Sequence, residues 1–104
     1  MPMPCTLTVK EGALYISSDV YSQFFAGLEA VILLRREDDL YVLPVRHAAA
    51  GGYLLKIRNS VGDRVVNAPD FFREQGLDDL SSRELSAAWS DRHGALIAAK
   101  AFGL

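Results

Sequence analysis

One pattern occurs twice in this chain, and it limits the possible folds more than any other feature. The first copy runs from Gly12 through Ala-Leu-Tyr-Ile-Ser-Ser-Asp-Val-Tyr-Ser-Gln-Phe-Phe-Ala to Gly27-Leu28. The second runs from Gly62 through Asp-Arg-Val-Val-Asn-Ala-Pro-Asp-Phe-Phe-Arg-Glu-Gln to Gly76-Leu77. In each, a glycine turn leads into a β-prone run, then a helix-start residue, an aromatic-bearing segment and Gly-Leu. A second apolar stretch follows each copy, broken by a charged turn: Arg36-Glu-Asp-Asp39 in the first and Asp91-Arg-His-Gly94 in the second. A repeated unit with no chemical signature of its own specifies an architecture before it specifies a reaction. The expected fold is mainly β with short helices (α+β). Two similar β-hairpin/short-helix halves, residues 6–45 and 53–99, join through a linker at 46–52 and close into one small barrel-like domain spanning 1–104.

Local patterns fill in the elements. Leu7 and Val9 alternate with Thr6, Thr8 and Lys10, which suits a strand with one wet face, and Glu11-Gly12 turns it into Leu14-Tyr15-Ile16. Ser17, Ser18 and Asp19 can each cap a helix over Val20–Ala26, with Val20, Phe24 and Tyr21 inward and Gly27 at its end. Val31–Leu34 and Leu40–Leu43 form a hairpin around the charged turn, and Pro44 limits its second strand. Both faces of that hairpin are apolar, so at least one of its strands is central or covered by a partner. Tyr53–Arg58 is a strand, residues 59–63 turn the chain, and Arg64–Val66 return it. Asn67 caps a second helix carrying Pro69, Phe71, Phe72 and Gln75, and Gly76 closes it. The last quarter has two readings. Ser81-Ser-Arg-Glu84 is a capping box for a helix through Leu85, Ala88 and Trp89. Alternatively the repeat makes Leu85–Ala88 and Gly94–Ile97 a hairpin, against the helix preference of alanine.

Lys56-Ile-Arg58, the turn at Gly62, Arg64-Val-Val66, Pro69, Phe72-Arg-Glu74 and Gly76-Leu77 together resemble the AbrB/MazE/SpoVT family. The tandem arrangement is similar to that of MraZ proteins, which carry two units in one chain. The resemblance implies interlocked swapped hairpins and a role in binding DNA, as a transcriptional regulator or antitoxin. The chain departs from the family pattern at Asn67-Ala68 before the proline, at residues 78–84 after Gly-Leu, and at Asp19, Val20 and Ala26 in the first helix.

Composition bears on function. The chain has 104 residues, half of them apolar, and a net charge of −2. A core is within reach, but so small a chain hides proportionally little surface, and a homodimer would help it. The charge is not the basic surplus of a typical nucleic-acid binder. A local cluster still qualifies: Lys56 and Arg58 share a strand face, Arg64 starts the next strand, and Arg73 lies on the second helix. Asp63, Asp70 and Glu74 are interleaved with these cations and offer them ordinary surface ion pairs instead. Cys5 is the only cysteine and the start lacks a secretory pattern, so a soluble cytoplasmic protein is expected, with no membrane span. His47, His93 and Cys5 share no metal-ligand spacing, so no metal or cofactor is expected. No nucleophile elbow or phosphate-cradling glycine loop is present, so no catalytic residues are assigned and an enzyme is not expected. The adjacent pairs Phe24-Phe25 and Phe71-Phe72 give each short helix two apolar sides. Phe25, Phe72, Trp89 and Phe102 are therefore the expected interface residues. Two functions follow: a non-catalytic regulatory or accessory protein that binds another protein, or an AbrB-like regulator that binds duplex DNA. A small enzyme or enzyme subunit is the third alternative.

Overall fold

The computed structural model describes residues 5–47, 51–77 and 82–103. Its described residues form nine strands and two short helices: β1 (Cys5–Lys10), β2 (Ala13–Ile16), α1 (Ser18–Val20), β3 (Ala30–Arg36), β4 (Asp39–Val45), β5 (Tyr53–Leu54), β6 (Lys56–Ile57), β7 (Arg64–Asn67), α2 (Pro69–Glu74), β8 (Ser82–Ser90) and β9 (Ala95–Ala98). α1 widens into a π-helical turn over Tyr21–Phe25. All strand pairs are antiparallel, and the sheet order is β5-β3-β4-β9-β8-β1-β2-β7-β6. The two end strands are consecutive in sequence, separated only by Leu55. β5 pairs with β3, β6 pairs with β7, and the Leu55 amide donates to the Glu29 carbonyl at 2.8 Å. One split strand thus bridges both ends of the sheet, giving a nearly closed barrel with little exposed edge.

Alternation along the strands fills the barrel. Leu7, Val9, Leu14, Ile16, Val31, Leu33, Leu40, Val42, Val66, Leu85, Ala87, Leu96 and Ala98 point inward and are buried, and no polar or charged side chain among the described residues is buried with them. Phe25 and Phe72 are the largest fully buried side chains. Ser17 caps α1, its hydroxyl accepting from the Val20 amide at 3.3 Å. α2 ends in a Schellman arrangement: the Leu77 amide reaches the Phe72 carbonyl and the Gly76 amide the Arg73 carbonyl, both at 3.0 Å. That ending needs the left-handed φ of +85° at Gly76.

Of the two readings of the last quarter, the strand reading holds: Ser82–Ser90 and Ala95–Ala98 are strands joined by a turn over 91–94, and their pairing with β1 and β4 outweighs the helix preference of their alanines. Other local expectations are corrected. Pro44 does not limit β4. β9 covers β4 only from Leu40 to Val42, so Pro44 sits where that side asks for no ladder bond. Asn67 is not a cap. Its pairing with Ala13 keeps it in β7, the cap position falls to Ala68 without a side-chain bond, and Pro69 opens the helix. In the π-helical turn after α1, Phe24 and Tyr21 pack partly buried against the core, but Phe25 takes the fully buried place. Residues 48–50 of the expected linker, and Ser81 of the capping box, lie outside the described residues.

Candidate functional site

The outer surface of the barrel is two-faced. On β3, β4, β9 and β8, directly paired residues line up as Leu34, Tyr41, Ile97 and Ala88. Ile32 and Leu43 form a second row beside them. These side chains alternate with the buried set, so they project outward. Leu34 is 44% exposed and the others are half-buried. Arg36 and Asp39, paired across the hairpin, bound this apolar face at one end. The Arg36 guanidinium lies 5.8 Å from the Tyr41 ring centroid, and His93 meets Tyr41 edge-on at 5.4 Å.

The opposite wall is polar. A row of direct pairs crosses five strands through Glu84, Thr8, Tyr15, Val65 and Lys56. Thr6, Lys10, Ser82, Ser86 and Asn67 flank it and are exposed. Two overlapping open grooves of about 180 and 230 Å³ run along this wall. They share Thr8, Tyr15 and Arg58. Lys10 lines one, and Thr6, Ile16, Ser17 and Asp63 line the other.

The β6–β7 turn brings three of the four expected nucleic-acid residues onto one hairpin. Lys56 is exposed on β6. Arg58 follows β6, and its guanidinium lies 4.8 Å from the centre of the Tyr15 ring. Arg64 opens β7, lies 3.8 Å over the Tyr21 ring and donates to the Gly62 carbonyl. Asp63 sits between the two arginines. Its carboxylate accepts from the Ser18 amide at 2.7 Å and from Asn59 Nδ2 at 2.9 Å. The Asn59 side-chain bond first, then the Ser18 amide and the nearby Arg58 charge, hold its pKa below the ordinary value against a smaller burial effect. Asp63 thereby ties the β6–β7 turn to the start of α1. Arg73 is on a different element, α2, where it pairs with Asp70 at 3.3 Å.

The four expected interface residues fall into two classes. Phe25 and Phe72 are 0% exposed within the chain's own core, so neither has surface left for a second subunit. Trp89 is half-buried at the end of β8. It stacks on Phe24 at 5.3 Å and donates to Asp91 Oδ1 at 2.8 Å. Phe102 is half-buried between Phe71, at 6.2 Å, and the Arg35 guanidinium, at 5.2 Å. Trp89 and Phe102 both pack, partly buried, against the chain's own core. The other reactive side chains lie apart. Cys5 is on β1 with its thiol pKa raised by burial, His47 is 3.7 Å from Glu29, and His93 bonds Ser90 at 2.9 Å. Among the described residues, no three His, Cys, Asp or Glu side chains are grouped to hold a metal ion. No helix there is long and apolar enough to cross a membrane.

Lys10, Tyr15 and the two threonines were not singled out from the sequence. The signal was present: the period-two run Thr6-x-Thr8-x-Lys10 and a two-residue turn at 11–12 together set Tyr15 opposite Thr8. No family model, curated protein or solved structure matches the chain.

Proposed function

We propose that this chain is a regulatory or accessory binding protein, built from two interlocked hairpin–helix–hairpin units, that works as a homodimer through the outer face of β3, β4, β9 and β8. The observation that carries the reading is the Leu34–Tyr41–Ile97–Ala88 row. Its strands already bury their inner faces, so a second apolar face on the same strands has no use within the barrel. A second copy is the occupant because the face complements itself. Arg36 and Asp39 stand side by side at its rim, and an isologous contact sets each opposite the other's counterpart.

The strand registers support the repeated unit. Let β1, β2, β3 and β4 correspond to β5/β6, β7, β8 and β9. Then Lys10–Ala13 corresponds to Lys56–Val65, Leu7–Leu85 to Tyr53–Val31, and Leu33–Val42 to Ala87–Ala98. Leu40–Ala98 exchanges with Val42–Leu96, and Leu14–Val66 maps onto itself. Buried positions match buried ones in the later strands: Val31 with Leu85, Leu33 with Ala87, Leu40 with Leu96. Each helix starts on the other unit's first hairpin. The Ser18 amide bonds Asp63, and the Ala68 amide bonds the Gly12 carbonyl at 3.0 Å. Superposing residues 6–45 on 53–99 tests this; misaligned strands would end the claim.

Lys56, Arg58 and Arg64 on one hairpin favour a second reading, a duplex-DNA regulator of the AbrB kind. The test is fluorescence anisotropy with genomic duplexes. Binding should fall by about 0.9 in log affinity per phosphate contact for each tenfold rise in salt. Arg58→Ala with Arg64→Ala should remove it. A wild-type chain that ignores duplex DNA at low salt ends this second reading and leaves the first untouched.

A further inference from the structure

We propose that the polar wall of the barrel carries a binding site for a phosphate monoester of a polyhydroxylated alcohol, a sugar phosphate in chemical class. The site is separate from the proposed dimer face and does not depend on it.

The two overlapping grooves divide the labour. The end lined by Thr8, Lys10, Tyr15 and Arg58 has two cations and no carboxylate in its lining, with Glu84 across from Thr8 on β8 outside it. Among the described residues neither Lys10 nor Arg58 has a carboxylate within ion-pair distance. Arg58 lies against the Tyr15 ring, which limits the positions of its guanidinium, while its guanidinium N–H groups make no hydrogen bond among the described residues. An arginine held by stacking, with its planar fork free, suits a tetrahedral oxyanion. Lys10 adds a point charge from β1, and Thr8 on the same strand brings a hydroxyl donor to the same groove.

The other end, lined by Thr6, Ile16, Ser17 and Asp63, has a different chemistry. The Asp63 carboxylate repels a second anion there but accepts from hydroxyl groups. Thr6 and Ser17 add hydroxyls that donate or accept. One end of the groove therefore takes charge and the other takes neutral hydroxyls. The grooves, of about 180 and 230 Å³, have room for a small molecule of this kind.

The test is a set of two-dimensional amide NMR titrations of the full chain with ribose 5-phosphate, inorganic phosphate and ribose, each against sodium chloride at matched ionic strength. Saturating shifts are expected at Thr6, Thr8, Tyr15 and Arg58 with ribose 5-phosphate, weaker binding with inorganic phosphate, and no saturation with ribose. Lys10→Gln and Arg58→Gln should each weaken binding at least about tenfold. Thr8→Val gives a third variant that leaves the charges in place and should also bind more weakly. Retained spectral dispersion shows that each variant is folded. Unsaturated shifts that chloride reproduces, or variants that bind as the wild type does, would overturn the site. Equal affinity for phosphate and ribose 5-phosphate would overturn the sugar assignment.

Discussion

Asp63 joins more of the molecule than any other single side chain on the polar wall. One oxygen holds the first amide of α1, the other holds Asn59, and Arg58 and Arg64 flank it in sequence. Its pKa is depressed in the folded chain, chiefly by Asn59 and then by the Ser18 amide. The sign of the pH effect follows from linkage. The stabilisation is fully present above the unfolded value of about 3.8 and is lost as pH falls through the lower folded value. Asp63→Asn keeps an acceptor and removes the charge. Urea titrations across acidic pH should show the wild type losing its advantage over this variant only below about pH 4. A gap that persists unchanged at lower pH would contradict the linkage. At the same scale, Phe72→Ala should cost about 3–5 kcal/mol, because the ring is fully buried and its loss leaves a cavity. Not every residue role was legible. The cap at Ser17 could be narrowed to three adjacent residues from the sequence. The strand role of Asn67 could not, because the partner that holds it, Ala13, is distant in sequence.

Short elements here owe their form to what they pack against. α2 spans only Pro69–Glu74, too short to stand alone, and depends on its Schellman end and on Phe72. Gly76→Ala should therefore cost about 1 kcal/mol from backbone strain alone, since a Cβ there meets nothing within 4 Å. Equilibrium unfolding checks it, and no loss would mean that the left-handed ending is dispensable. The hairpin of β3 and β4 was legible because β-branched and large apolar residues fill both of its strands. The hairpin of β8 and β9 was not, because Ala87, Ala88, Ala95 and Ala98 favour helix locally. Their strand form comes from pairing on both sides, and only the analogy with residues 31–43 pointed to it. The C-terminal segment is fixed in the same way: Arg83 donates to the Ala101 carbonyl at 2.5 Å and the Phe102 amide to the Asp38 carbonyl at 3.0 Å. Arg83→Ala should loosen that segment, read as faster amide exchange at Ala101 and Phe102 with the barrel amides unchanged.

Across the whole molecule, the barrel closes through one split strand and leaves two unlike outer walls. The wet face of β1 was readable from Thr6, Thr8 and Lys10, and the apolar double face of β3 and β4 from Val31–Leu34 and Leu40–Leu43. Which strands would join each wall was not readable, because sheet order depends on pairings between distant segments. The account's central claim is that the apolar wall meets a second copy. Analytical ultracentrifugation of the wild type beside a Leu34→Asp, Ile97→Asp variant tests it most directly. Both positions are on the outside, so the variant should keep the wild-type circular dichroism spectrum. The expected result is a wild-type dimer and a folded monomeric variant. A wild type that sediments as a monomer at all concentrations, or a variant that remains a dimer, would contradict the account.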